Sequence, residues 1–378
     1  MARRPRQERT YMEDLALFSE LAKEFGITGE VTGFEVVRYG HINGTFDVVA
    51  AENGKDKHYF FQRVNTFVFK EPEKIMSNIA HVTAHISKKL RAAGEDENGV
   101  MHFLSARDGK NYTFVGNDFW RVSLGVPDTV TINECPNADV FRSSGAGFGR
   151  FQTLLSDFDA GLLYETIPNF HNTRARIEKF RQDVATDPCG RVREATYEIG
   201  KIEEFSGLAT RLCDMLAAGE LPLRVTHNDT KINNILFDKN TLRAKAVIDL
   251  DTVMPGLVAH DFGDSIRFGA NTAKEDEADL SKVSLNMEYF RAYAEGFLSE
   301  VGGALTENEV RTLALGAFVM TLELVVRFLD DYLVGDTYFK IQYPTHNLMR
   351  ARCQLHLAED MARRLPEMEK IVAEIAGR

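Results

Sequence analysis

The chain has 378 residues, 44% of them hydrophobic, and a formal net charge of −11. It is long enough to bury a large core in two lobes, and its acidic balance argues against general nucleic-acid binding, which needs a basic footprint. The four cysteines, Cys135, Cys189, Cys213 and Cys353, stand far apart with no Cys-x-x-Cys pair, which argues against structural zinc and suits a reducing, cytoplasmic setting.

The opening Met-Ala-Arg-Arg-Pro-Arg is basic and lacks the roughly 7–15-residue apolar segment of a secretory signal, so no targeting peptide is expected. Residues 13–25 carry apolar side chains at helical spacing, and Gly26 stands where a C-terminal glycine ends a helix. Strands are expected over 34–38 and 45–50, flanking a turn from Gly40 to Gly44, and over 57–64. A helix over 72–90 follows, then strands near 101–104, 112–115 and 119–124. Trp120, the one tryptophan, reads as a core side chain rather than a base-stacking platform. The backbone from Ser123 to Val126, at the end of the last strand and just beyond it, is expected to be a hinge. Beyond it the pattern turns helical, over 139–158 with a Gly-Ala-Gly-Phe-Gly segment for close packing, then over 195–218, 285–300, 307–333 and 345–375. The apolar run 312–329 is interrupted by Glu323 and Arg327, which favours a core helix over a membrane span. These two residues, four apart, share one helix face; they either pair with each other or leave Arg327 to a ligand.

The chemistry concentrates in Val225–Leu236 and Ala246–Asp251. His227, Asp229 and Asn234 reproduce the spacing of a phosphoryl-transfer loop, in which the Asp takes the acceptor hydroxyl's proton and the Asn holds Mg²⁺. Asp249, on an apolar strand-like run, supplies the second metal-ligating carboxylate. Asp251, two residues on, would share its side if the strand continued. A literal Asp-Phe-Gly at Asp261–Gly263 lies beyond that strand; Asp261 is expected to brace the loop through backbone amides or to cap the next helix. The third strand should carry a phosphate-binding Lys paired with a Glu, yet it ends Gln62-Arg63, and the following helix offers only Glu73 near its start. Adjacent strand residues face opposite sides, so only one of Gln62 and Arg63 can meet the nucleotide, and Gln62 holds the usual lysine offset.

His227-Asn-Asp229, Asn234 and Ile248-Asp249 resemble the aminoglycoside phosphotransferase and choline kinase superfamily. Further stretches are similar to the N-acetylhexosamine 1-kinases: Gly40-His-Ile-Asn43, Asn65-Thr66, Leu223-Arg-Val-Thr-His-Asn-Asp-Thr-Lys231, Met254-Pro-Gly256, Asp261-Phe-Gly-Asp-Ser-Ile-Arg-Phe-Gly269, Arg327-Phe-Leu, Asp331-Tyr-Leu and Gly335-Asp336. The resemblance covers nearly all of residues 10–370. It implies an α+β, protein-kinase-like two-lobed fold with a β-rich lobe (1–122), a hinge (123–127) and a mainly helical lobe (128–378). It implies ATP, its adenine edge met by backbone groups between Ser123 and Val126, and Mg²⁺, with transfer to the anomeric hydroxyl of an N-acetylhexosamine and a sugar pocket drawn from His41, Asn43, Asp264, Arg267, Arg327 and Tyr338. No nucleic acid, membrane or obligate protein partner is expected. A kinase of a plain hexose or an amino alcohol, and a catalytically silent nucleotide-binding regulator, remain as alternatives.

Overall fold

The computed structural model describes residues 11–37 and 42–377, so Gly40 and His41 of the expected turn lie outside the described residues. The chain divides into two compact units after Asp128.

In the first unit, helix α1 (Tyr11–Glu24) is followed by strands β1 (Glu30–Val37), β2 (Gly44–Glu52) and β3 (Lys55–Val64), helix α2 (Pro72–Ala93), and strands β4 (Thr113–Val115) and β5 (Asp118–Leu124). The strands form one antiparallel sheet in the order β1-β2-β3-β5-β4. Asn53 and Gly54, both at positive φ (53° and 76°), close the β2–β3 hairpin as this tight turn requires. Alternation along β3 buries Tyr59 and Phe61, and with Val48, Trp120 and Val122 they receive Phe18, Leu21 and Phe25 from the α1 segment. Trp120 is therefore core. The segment expected as a strand over 101–104 makes only an isolated bridge, Phe103 to Ser123.

The second unit contains β6 (Thr129–Val130), α3 (Ala138–Leu154), α4 (Thr173–Thr186), α5 (Thr196–Ala209), α6 (Arg211–Ala217), β7 (Arg224–Thr226), β8 (Ile235–Asp238), β9 (Ala244–Val247), β10 (Met254–Gly256), α7 (Val258–Gly269), α8 (Met287–Val301), α9 (Glu307–Leu333) and α10 (His346–Ala376). The single helix expected over 195–218 is divided at Thr210 (φ −88°, ψ −2°), between the end of α5 at Ala209 and the start of α6 at Arg211. Helix α4 has no counterpart in the sequence expectations, because only Thr173, Ile177 and Phe180 of its residues are buried and its apolar periodicity is correspondingly faint. Helix α9 starts in a Thr306–Glu309 capping box and is long and apolar enough to cross a membrane, but its apolar window is 94% buried within the protein. It crosses α7 closely: a Cβ on Gly263 would lie 2.2 Å from the Gly316 carbonyl oxygen. That contact fixes α7, which carries Asp261.

Candidate active site

The loop after β7 is suspended from α7. The Asp261 carboxylate accepts hydrogen bonds from the His227 amide (2.8 Å), the Asn228 amide (2.7 Å) and the Gln152 side chain (2.9 Å). Burial pushes the Asp261 carboxyl's pKa up, and the His227 and Asn228 groups oppose the rise. Asp261 thus braces the loop, as expected, though from within the first turn of α7 rather than ahead of it. Asp264, one turn on, accepts from the Thr230 amide (3.1 Å) and from Arg267 (2.8 Å), while Arg267 also reaches Glu275 (2.9 Å). Both are buried. This corrects the expectation that they meet a sugar: their polar atoms are engaged beneath the loop, because they project from the inward face of α7.

The suspension presents Asp229. Its Oδ1 lies 2.8 Å from the Lys231 Nζ, and its Oδ2 accepts from the Asn234 side-chain Nδ2 at 3.2 Å. Partial burial acts to raise the Asp229 pKa; Lys231, then His227 and Arg267, outweigh it and hold the carboxyl below its ordinary value. The group is therefore an ionised acceptor at neutral pH. Lys231 had no role in the sequence reading beyond its place in a matched stretch. His227 is tied down on both ring nitrogens: Nδ1 accepts from the Asp229 amide (3.3 Å) and Nε2 donates to the Ile248 carbonyl (2.8 Å).

Ile248 also connects the two residues expected to hold the metal. Its amide donates to the Asn234 carbonyl (2.9 Å), extending the β8–β9 ladder and bringing the Asn234 segment alongside the one carrying Asp249. Both side-chain contacts of Asn234 are to oxygens of Asp229, which only its NH₂ can satisfy; the amide oxygen is left available. Asp249 is exposed, with φ at +59°, whereas Asp251 lies in a 3₁₀ turn and is 3% exposed. The strand argument that set Asp249 and Asp251 on one side is thereby corrected: β9 ends at Val247, and the left-handed residue turns the chain before Asp251. Among the described residues no three His, Cys, Asp or Glu side chains gather as metal ligands.

Beside this loop lies a second polar cluster. Glu323, fully buried, accepts from His171 Nδ1 (2.9 Å) and Thr173 Oγ1 (2.9 Å) and pairs with Arg176 (3.4 Å). His171 Nε2 sits 3.3 Å from the Asn228 carbonyl, joining α9 to the loop after β7. Burial acts to raise the Glu323 pKa, but His171, Arg176 and Arg327 bring it down to about 2. The ionised form thus favours folding at neutral pH, and this contribution is lost as pH falls from the ordinary 4.5 through about 2. The melting-temperature advantage of wild type over Glu323→Gln should shrink across that window; an unchanged gap would contradict it. The His260 ring, 5.3 Å from that of His171, is pushed down to about 3 by burial, and its Nε2 is buried without a hydrogen-bond partner.

Arg327 is therefore not paired with Glu323 through a direct ion pair. Its guanidinium lies 5.9 Å from the Phe170 ring centroid and 5.5 Å from that of Phe339. Tyr338, 68% exposed, stands edge-on to Phe339 at 4.8 Å. Their loop is shaped by Asp331, whose carboxylate accepts the amides of Thr337, Tyr338 and Phe339 at 2.8–2.9 Å. Arg327 and Tyr338 are thus brought together, with Phe170, His171, Arg176 and Phe339 as companions that carried no recognisable sequence signal.

In the first unit, Gln62 shares a sheet face with its ladder neighbours Thr45 and Arg121. Arg63 pairs with Trp120 in register, on the α1 face, and its side chain is 3.7 Å from Asp118. Ser123 pairs with Phe60 on one side and bridges Phe103 on the other, so its backbone lies inside the sheet rather than at an open edge. That corrects its expected adenine contact; Val126, by contrast, lies beyond the end of β5. The Asn43 side-chain oxygen Oδ1 accepts from the Asn65 backbone amide (3.0 Å), clamping the exit of β3.

A model of the phosphotransferase enzyme family matches residues 45–298. The fold is similar to that of the microcompartment-associated aminopropanol kinase, at 17% identity and a TM-score of 0.63, covering 94% of this chain and 99% of that one. It is also similar to a choline kinase from Cryptosporidium parvum Iowa II, at 12% identity and a TM-score of 0.53 over 93% and 96% of the two chains. Spectinomycin phosphotransferase, solved with ADP and spectinomycin, matches at 12% identity and a TM-score of 0.53 over 96% and 100%.

Proposed function

The chain belongs to the phosphotransferase enzyme family, and we propose that it transfers the γ-phosphoryl group of ATP to the anomeric hydroxyl of an N-acetylhexosamine. The phosphoryl-transfer part rests on Asp229 and Asn234, held by the Asp261 brace. Asp229 would orient the acceptor hydroxyl and take its proton, and Lys231 keeps that carboxylate charged and fixed. The amide oxygen of Asn234 and the carboxylate of Asp249 suit Mg²⁺, a hard cation that takes one or two protein oxygens alongside phosphates and water; bound there it would neutralise phosphate charge.

The observation that carries the acceptor class is Arg327. Its cation lies beside aromatic rings and near a second cation, Arg176, while the nearby carboxylates of Glu323 and Asp331 are engaged by protein donors. Such a cluster repels an ammonium and suits a neutral, oxygen-rich molecule, whose hydroxyl and acetamido oxygens accept hydrogen bonds. This favours a sugar over the amino alcohols that the names aminopropanol kinase and choline kinase indicate. The N-acetylhexosamine reading itself is supported by the Asp229-Thr-Lys231 and Asp261–Gly269 stretches.

The test is Mg·ATP consumption with N-acetylhexosamines, plain hexoses, choline and aminopropanol. Turnover confined to the amino alcohols would overturn the proposal. Arg327→Met should raise the KM for the sugar about 10–100-fold, the loss of a charged hydrogen bond, with the KM for ATP unchanged; an unaltered sugar KM would remove Arg327 from the pocket.

A further inference from the structure

Strand β3 carries Gln62 where a phosphate-binding lysine is expected, and the structure offers a cation one strand away. Gln62 Oε1 accepts from Arg121 Nε at 2.9 Å, and its Nε2 donates to Thr45 Oγ1 at 3.2 Å. The three residues lie side by side across β2, β3 and β5, so they share the face opposite α1. Arg121 is 2% exposed, with Nη1 3.7 Å from the Met76 sulfur of α2 and the guanidinium 5.5 Å from the Phe103 ring centroid. Gln62, in contrast, is only half-buried. The sheet face thus holds a permanent positive charge directly behind an accessible amide.

We propose that Arg121 is the first unit's positive charge for the nucleotide phosphates, acting through Gln62. The guanidinium polarises the Gln62 amide by bonding to its oxygen. An amide has two N–H donors; Thr45 takes one, and the other serves a phosphate oxygen. Arg121 is then a positioning residue, and Gln62 is the group that touches the ligand. The arrangement explains how a strand with glutamine at the position expected to carry the phosphate-binding lysine keeps a cationic phosphate site, and why Arg63, on the other face, is not its replacement. The inference rests on ATP as the phosphoryl donor and is independent of the acceptor's identity.

Calorimetric titration of the full chain with Mg·ATP and, separately, with adenosine tests it. Arg121→Gln should weaken Mg·ATP binding about tenfold or more and leave adenosine binding unchanged, because adenosine has no phosphate. Arg121→Lys should retain most of the Mg·ATP affinity. Adding Gln62→Lys to Arg121→Gln should restore it by placing the charge on β3. Since Arg121 is buried and its loss can impair folding, Gln62→Leu provides the second arm: measured below its own melting temperature, it should lose Mg·ATP affinity and keep adenosine affinity. Equal loss of ATP and adenosine, or undisturbed Mg·ATP binding in Gln62→Leu, would overturn the proposal. Failure of every sugar in the acceptor panel would leave these titrations untouched, so the two readings fail separately.

Discussion

Asp229→Asn should fold, bind Mg·ATP and turn over about 10²–10⁴ more slowly than wild type, the range ascribed to a positioned general base. The amide preserves the shape of the side chain and can still accept from Asn234. It cannot accept the hydroxyl's proton, and it loses the ion pair with Lys231 at 2.8 Å. Because that lysine lowers the Asp229 pKa, the activity governed by this carboxylate should persist well below neutral pH instead of falling away near 6. The kcat–pH profile and the Asp229→Asn rate together check the role. Near-normal turnover in the variant would remove Asp229 from it.

Asp261→Ala should instead unfold the second unit at markedly lower temperature. It strands the His227 amide, the Asn228 amide and the Gln152 side chain in the interior, at about 1–3 kcal/mol for each unsatisfied group. A loss of that size corresponds to a fall in melting temperature on the order of 10 °C for a chain this long. The contrast is with Asp249→Asn, which keeps a residue tolerant of the left-handed backbone and should lose turnover with little change in melting. If the literal Asp-Phe-Gly element held the metal, the two variants would exchange phenotypes: Asp261→Ala would melt normally and be inactive, and Asp249→Asn would remain active.

The convergence of the candidate loop was legible because its polar groups lie within eight residues, from His227 to Asn234, where backbone spacing alone decides which side chains can meet. Asp261 was legible by elimination, since the apolar run ending at Asp249 already supplied a carboxylate. Other residues depended on where the chain bends. The pairing of Asp249 with Asp251 assumed a strand that stops at Val247, and the positive φ at Asp249 is a three-dimensional demand that an Asp can meet without announcing it. Asp264 and Arg267 have the charged chemistry of a ligand site but lie on the inward face of α7, engaged by Thr230 and Glu275. His171 and Thr173 flank the start of a helix with few buried residues, and their importance comes from Glu323, 150 or more positions away. Arg121 reads as one polar residue in an apolar strand; only the ladder register sets it opposite Gln62.

Transfer to an anomeric oxygen is decided by phosphorus NMR of the product formed from Mg·ATP and N-acetylglucosamine or N-acetylgalactosamine. A phosphate resonance coupled to the anomeric proton is expected. A phosphate on any other sugar oxygen, or no sugar phosphate beside active transfer to an amino alcohol, would contradict it.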